Sequence, residues 1–427
     1  MHRFRGFFDR VGGVLLAFAC ILSAPVTAAP PEDGDWIVVA RNFGSIIAVD
    51  PATGLVRSTI SGPDLFDPEG GVVGDGPSIA GSFETRLLQL PGSRDLLVRA
   101  VTSPSTFGLY RIDIDSGNRT LLPGTVGNSW SEIGVMIPES ATTLIALSDN
   151  FNALGGSMSR VIRYNVTTGQ TTVLASQTVG SGPNIRKARG GALIGPSTLV
   201  VAESGLGDGV STGRGLFSIN LDTGDRAFLS RLSAKPFTRQ VWVDGVNQGS
   251  QVFGDGNGDF GGGSGPVMTT NCRSVMVLGG RILVGYSIQL GPDAYDGGIM
   301  EIDPLSGDRR LIVGRAFDDN GLADTVLTRL PTNAQTVFFD DATGIKPVGD
   351  FDIGLVNVFG DSHVFRYGLT TGRLDIVADL DGAPQDLILT DLLIYRKPAC
   401  TADINGDGLI DFFDVQAYLN AYSQGCE

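Results

Sequence analysis

The sequence predicts an all-β chain: a six-bladed β-propeller of four-stranded antiparallel blades, followed by a small C-terminal calcium-binding loop-helix module. Three observations predict the propeller. One hairpin signature recurs six times. Two further short strands precede the repeated hairpins, which makes four strands per unit. The first and last strand-like segments are incomplete units that complete each other.

Each hairpin signature runs from alternating apolar residues into Asp or Asn, two variable residues, Thr or Ser, and Gly, and then into a second strand. The six copies read IIAVDPATGLVRSTI, LYRIDIDSGNRTLL, VIRYNVTTGQTTVL, LFSINLDTGDRAFL, IMEIDPLSGDRRLI and VFRYGLTTGRLDIV. Asp or Asn at the first turn position closes an Asx turn with its own side chain, and Gly at the last supplies the positive φ that lets the hairpin twist correctly. These glycines are Gly54, Gly117, Gly169, Gly224, Gly307 and Gly372, separated by 63, 52, 55, 83 and 65 residues. Units of that length hold about four strands each.

The strands upstream of the hairpins are visible in GGALIGPSTLVVAE (190–203) and SVMVLGGRILVGY (274–286). One blade is split. WIVVA and its hairpin (36–60) lack the full upstream pair, and PQDLILTDLLIYR (384–396) has no hairpin after it. Joining the two closes the ring and protects sheet edges that an open array would expose. The propeller therefore occupies residues 30–397.

Counted from the axis outward, the second-to-third and fourth-to-first connections of every blade emerge on one face. The first-to-second turns (PGSR, PESATT, GPST, LGGR) are short, as are the Asp-x-x-Thr-Gly turns. The long segments 149–160, 204–214, 287–296 and 340–363 read as second-to-third loops, and 61–84 and 232–270 as inter-blade connectors, so the opposite face is the ligand face. At the ends of the second strands, toward that face, the sequence places Arg41, Asp149, Glu203, Tyr286, Asp340 and Asp341. Those carboxylates could share a metal near the axis. Solvated loop acids in an acidic protein are the plainer alternative.

Residues 398–427 form a separate module. A twelve-residue loop starting at Asp403 puts oxygen donors at positions 1, 3, 5, 9 and 12: Asp403, Asn405, Asp407, Asp411 and Asp414. Gly408 stands at position 6, where the loop turns sharply, and the Leu409 carbonyl at position 7. This is the spacing a Ca2+ ion needs. A short amphipathic helix bearing Val415, Tyr418, Leu419 and Tyr422 is expected after it. The connector Asp255-Gly-Asn257-Gly-Asp259 alternates donors with glycine in the same way but has Pro266 at position 12. It reads as a second calcium site or as a flexible Gly-rich loop.

Asp rather than Glu at position 12, followed by that helix, resembles the loop-helix unit of dockerins. Only one copy is present, whereas dockerins grip cohesins with two. Three connectors carry Gly-Asp/Ser-Gly-Pro (Gly74 to Pro77, Gly180 to Pro183, Gly263 to Pro266). Together with SQTVGSGPNIRKARGGALIGPSTLVVAESG and DTGDRAFLS, they make residues 30–397 similar to bacterial secreted propellers of the NHL and SMP-30/gluconolactonase-like type. That resemblance implies the six-bladed fold. For activity it implies a metal held by acidic and amide side chains on the axis, as in SMP-30-like lactonases.

Arg3, Arg5 and Arg10 precede an apolar run from Val11 to Leu22, with small residues at Val26-Thr27-Ala28. This reads as a signal peptide over residues 1–28 and places the protein outside the cell or in the periplasm. The chain of 427 residues carries a formal charge of −15, and loss of three arginines and Asp9 with the signal leaves −17. Such acidity excludes nucleic acid as a partner and suits a collector of divalent cations. No other apolar run is long enough to insert in a membrane. Cys400 and Cys426 bracket the calcium module, and a disulfide between them would tie its ends. Cys272 is left over and reads as a buried small hydrophobe at a strand start, with a reactive thiol as the alternative. His2 and His363 are the two histidines, so zinc sites built from several histidines are excluded. The expectation is a monomeric, exported, calcium-binding propeller that presents a loop face to an extracellular protein or glycan. The alternative is a metal-dependent lactonase or related hydrolase.

Overall fold

A computed structural model describes residues 30–40, 44–65, 71–79, 85–103, 106–125, 133–148, 160–185, 188–203, 215–231, 237–243, 246–253, 263–266, 271–289, 295–317, 323–326, 342–357, 363–380, 389–398 and 412–423. All six repeated turns adopt one conformation. The glycine N–H donates to the carbonyl four residues back, from Gly54 N to Asp50 O (2.8 Å) through Gly372 N to Gly368 O (2.8 Å). The six glycines have φ between 66° and 77°, the left-handed region that a side chain resists. In five copies the first residue also accepts with its side chain: Asp50, Asp113, Asn165, Asn220 and Asp303 each take a backbone N–H two residues on, at 2.8–3.1 Å. The sixth has Gly368 there and keeps the backbone bond alone.

Those turns join the outer strands of six blades. Blade 1 contains β1 (Trp36–Ala40), β2 (Ser45–Val49) and β3 (Val56–Pro63), with the two-residue β4 (Val72–Val73) on its outer edge. Blade 2 is β5 (Arg86–Gln89), β6 (Leu96–Ser103), β7 (Thr106–Ile112) and β8 (Arg119–Leu121). Blade 3 is β9 (Ile133–Pro138), β10 (Thr143–Ser148), β11 (Val161–Asn165) and β12 (Thr171–Ala175), and blade 4 is β13 (Ala188–Leu193), β14 (Thr198–Glu203), β15 (Gly215–Asn220) and β16 (Arg226–Arg231). A separate two-stranded hairpin follows, β17 (Phe237–Val243) and β18 (Val246–Phe253). Blade 5 is β19 (Asn271–Leu278), β20 (Arg281–Gln289), β21 (Tyr295–Ile302) and β22 (Arg309–Phe317), edged by β23 (Ala323–Val326). Blade 6 is β24 (Ala342–Pro347), β25 (Asp352–Asn357), β26 (His363–Gly368) and β27 (Leu374–Asp379). The chain then returns to blade 1 as β28 (Leu389–Ile394), and a helix, α1 (Phe412–Ser423), ends the described structure.

The split blade closes as its two fragments require: Trp36 pairs with Ile394, Val38 with Leu392 and Ala40 with Leu389. Six apolar layers, one between each pair of adjacent blades, complete the ring. In β1 the alternation of a strand sends Ile37 and Val39 against Leu96 and Tyr110 of blade 2, and Trp36 and Val38 against Val356 and Val364 of blade 6. WIVVA is apolar at every position because both of its faces are buried. Leu97 with Tyr164, Ile145 with Phe217, Val200 with Val284, and Leu283 with Phe365 fall in the four remaining layers.

Three interfaces carry an additional device built on the Gly-x-Gly-Pro connectors. Arg119, Arg226 and Arg309, each two residues after a repeat glycine, are buried. Arg226 donates from Nε to Pro183 O (3.0 Å) and from Nη1 to the carbonyls of Ser176, Val179 and Gly224 (3.0–3.1 Å). Arg119 does the same to Pro77, Val73 and Gly74, and Arg309 to Pro266, Gly263 and Gly265. Each guanidinium thus clasps the incoming connector to the outer hairpin of the next blade. Burial pushes the Arg119 and Arg226 guanidinium groups down from their ordinary value. The glycines admit this approach: at Gly182, with φ 105°, a side chain would collide with Arg226 O.

The blade boundaries correct three sequence readings. Segment 340–363, expected as one loop, holds the first two strands of blade 6, so Asp340 and Asp341 precede an axial strand instead of ending a second strand. Both ends of segment 287–296 are strand, with Ser287 to Gln289 laddered against Gly297 to Tyr295. Connector 232–270 contains the β17–β18 hairpin. Cys272 is 1% exposed in the layer between blades 4 and 5, as expected of a small core residue, and burial pushes its thiol up to about 12.

Candidate functional site in the axial channel

Six first strands surround the axis: β28, β5, β9, β13, β19 and β24, one from each blade. They line a channel enclosing about 60 Å³ for water-sized groups. Its charged lining is Arg86 on β5, Arg189 on β13, Lys346 on β24 and Asp391 on β28. Gly134, Gly190 and Gly191 add bare backbone to the wall. Gly190 is required by close approach, since a Cβ there would stand 2.7 Å from the backbone of Ser274 on β19.

The polar groups knit the inner strands together. Arg86 donates from Nε to Gly134 O on the next blade (3.3 Å) and from Nη1 to Thr85 O (3.1 Å). Asp391, 3% exposed, accepts from Leu87 N with Oδ2 (2.8 Å) and from Leu392 N with Oδ1 (3.0 Å). Lys346 Nζ lies 3.8 Å from Asp391 Oδ1. A carboxylate on the closing strand is therefore tied to both neighbouring blades, and the described charged lining comprises three cations and one anion.

Of the residues expected on the loop face, Glu203 ends β14 as foreseen. It is 5% exposed and pairs with Ala188, the residue before Arg189. Tyr286 is fully buried in the blade 4/5 layer, where Gly298 opposite it leaves room for the ring: a Cβ there would stand 2.6 Å from Tyr286 Oη. It is a packing residue, not a loop-face group. Arg41, Asp149, Asp340 and Asp341 lie outside the described residues, as do Asp255, Asn257 and Asp259. His363 begins β26, stacks on Phe365 (5.7 Å between ring centres) and holds Nε2 3.6 Å from Asp379 Oδ1. Among the described residues no three His, Cys, Asp or Glu side chains converge on one point. The described axial donor set, mostly cationic, does not fit a metal ion.

In the tail, Asp403 to Asp411 (with Asn405, Asp407 and Leu409), Cys400 and Cys426 lie outside the described residues. The expected helix is present, and with Phe412 as its first residue Asp414 falls in its first turn. Val415, Tyr418, Leu419 and Tyr422 are 41–58% exposed, with the two tyrosine rings stacked 6.1 Å apart.

Sequence reasoning missed Arg86, Arg189, Lys346 and Asp391. A signal was available for Asp391 alone, a charge inside the otherwise buried apolar strand LTDLLI. A charge in a strand buried on both faces has only the axis to meet.

No family model matches the chain, and no curated protein matches it. Solved structures with a similar path include an oligogalacturonate lyase from Vibrio parahaemolyticus, at 12% identity, a TM-score of 0.38, and coverage of 82% of each chain. A putative 6-phosphogluconolactonase from Bacteroides fragilis is 11% identical with a TM-score of 0.40, covering 87% of this chain and 99% of that one. TolB from Acinetobacter baumannii is 7% identical with a TM-score of 0.40, covering 85% and 67%. At these values they bear on no activity.

Proposed function

We propose that this chain is an exported binding protein: a propeller that presents its loop face to an extracellular protein or glycan, with a calcium-ordered tail that docks or anchors it. The asymmetry of the two faces carries the reading. The six outer hairpins all use one tight turn, whereas connections on the other face run from Ser148 to Val161 and from Glu203 to Gly215. Long connections on a closed, rigid ring are where recognition groups are carried. For the tail, the support is the donor spacing of Asp403, Asn405, Asp407, Asp411 and Asp414, the first-turn position of Asp414, and the exposed apolar face of α1. Nothing described favours the hydrolase alternative, since the axial lining is mainly cationic.

Calcium titration of the full chain by calorimetry tests the tail. One site is expected in the wild type, and none in Asp403→Ala with Asp407→Ala. An unchanged isotherm in that double variant refutes the assignment.

A further inference from the structure

We infer that the β17–β18 hairpin is a self-association arm. Its β18 edge pairs antiparallel with the same edge of a second copy of this chain, so that two hairpins make one four-stranded sheet. The inference is independent of the calcium tail and of the loop-face ligand.

Four observations carry it. The first is an unmet need: each blade sets four or five strands side by side, whereas β17 and β18 pair with each other and, among the described residues, with no further strand. A two-stranded hairpin is at best marginally stable in water and gains stability from added strands. The second is the edge itself. Blades 1 and 5 cover their outer edges with β4 and β23, and blades 4 and 6 carry Arg226 with Arg231 and Asp375 with Asp379 on theirs. β18, VNQGSQVF, has neither a charge nor a proline, so nothing in its composition blocks another strand. β17 contains Arg239, which self-pairing would bring near its own copy, and β18 is therefore the edge that joins. The third is charge. Residues 237–253 hold Arg239 and Asp244 and sum to zero, within a chain of formal charge −15. Two such acidic chains repel each other, and a neutral arm is where they can meet. The fourth is Gly249 in the middle of β18. Glycine weakens a strand standing alone but admits close approach of another backbone. A twofold axis beside it sets β18 against itself, the isologous contact of a symmetric dimer.

Sedimentation velocity of the full chain over a range of concentrations is the test, with hydrogen exchange of the 246–253 backbone as a second readout. A reversible dimer is expected, in which those amides exchange more slowly than in the monomer. Ser250→Lys and Ser250→Glu, each of which sets like charges against each other across the axis, should weaken dimerisation by about tenfold or more. Mixed together, the two variants should associate again as a heterodimer, a rescue that misfolded chains would not show. Thr172→Lys, on the outer edge of blade 3, should leave the dimer unchanged. A chain that stays monomeric at every concentration overturns the proposal, leaving the edge to some other partner. So does a dimer that is as tight in the Ser250 variants, one that the mixture fails to restore, or one that Thr172→Lys abolishes.

Discussion

Asp391 Oδ2 accepts a hydrogen bond from the backbone N–H of Leu87 at 2.8 Å, joining two residues 304 positions apart. It is a fastening between the blade that closes the ring and the blade that follows it. Asp391→Ala should orphan a buried donor at a cost of about 1–3 kcal/mol. Asp391→Asn keeps an acceptor and should lose less. Urea unfolding midpoints measure both, and an unaltered midpoint for Asp391→Ala would contradict this role.

The clasping arginines should be intolerant even of lysine. Arg226→Ala removes the guanidinium donors from the carbonyls of Pro183, Ser176, Val179 and Gly224, an expected loss of roughly 2–4 kcal/mol for a broken buried network. Arg226→Lys should recover little, because one ammonium cannot reproduce the planar fork. Gly182→Ala should be comparably damaging. Denaturant melts of the three variants decide it, and full rescue by lysine would show that charge alone matters.

Acid should unfold the propeller through its turns and ion pairs. Hydrogen bonds hold the Asp50, Asp113 and Asp303 carboxyls below their ordinary 3.8, led by Ala52 N–H, the Ser116 hydroxyl and Ser306 N–H respectively. Arg163 and Arg281 hold Glu139 and Glu301 below 4.5. Depressed values in the folded state mean stability that is complete above the ordinary pKa and lost as pH falls through the folded one. Stability should therefore be flat from neutral pH down to about 5 and decline below about 4.5. Asp50→Asn with Asp303→Asn should flatten the acid limb, since asparagine already makes this turn at Asn165 and Asn220. An acid limb as steep as that of the wild type would count against the turns.

The Cys272 thiol should be inert in the native state. With its pKa pushed up to about 12 by burial, almost no thiolate exists at pH 8. Iodoacetamide should leave the Cys272 peptide unmodified in buffer and modify it fully in urea, as read by mass spectrometry. Rapid native labelling would mean that the blade 4/5 layer opens.

The fold was legible because its determinants are local. Asx-to-Gly turns, period-two strands and the unmatched ends WIVVA and LTDLLI each announce themselves within a few residues, and six repetitions average out individual errors. Blade 6 was misplaced because QTVFFDD, before β24, has the same apolar texture as a strand of the blade. The β17–β18 hairpin was missed although Asp244-Gly245 between its strands is a known hairpin dipeptide. The axial site was illegible for a different reason. Arg86, Arg189, Lys346 and Asp391 lie on four strands spread over three hundred residues, and only ring closure makes them neighbours. The clasping arginines were hidden in the same way, since their carbonyl partners in the connectors lie more than forty residues upstream.

The closing blade also orients the molecule. β1 begins and β28 ends on the side of the short turns, where Arg396 exchanges hydrogen bonds with Gln89 beside the β5–β6 turn and Gly34 N donates to Tyr395 O. Both termini of the ring thus depart from one pole, and the long connections rise from the other. A tether through residues beyond 397 would therefore hold the ring by the pole of its short turns.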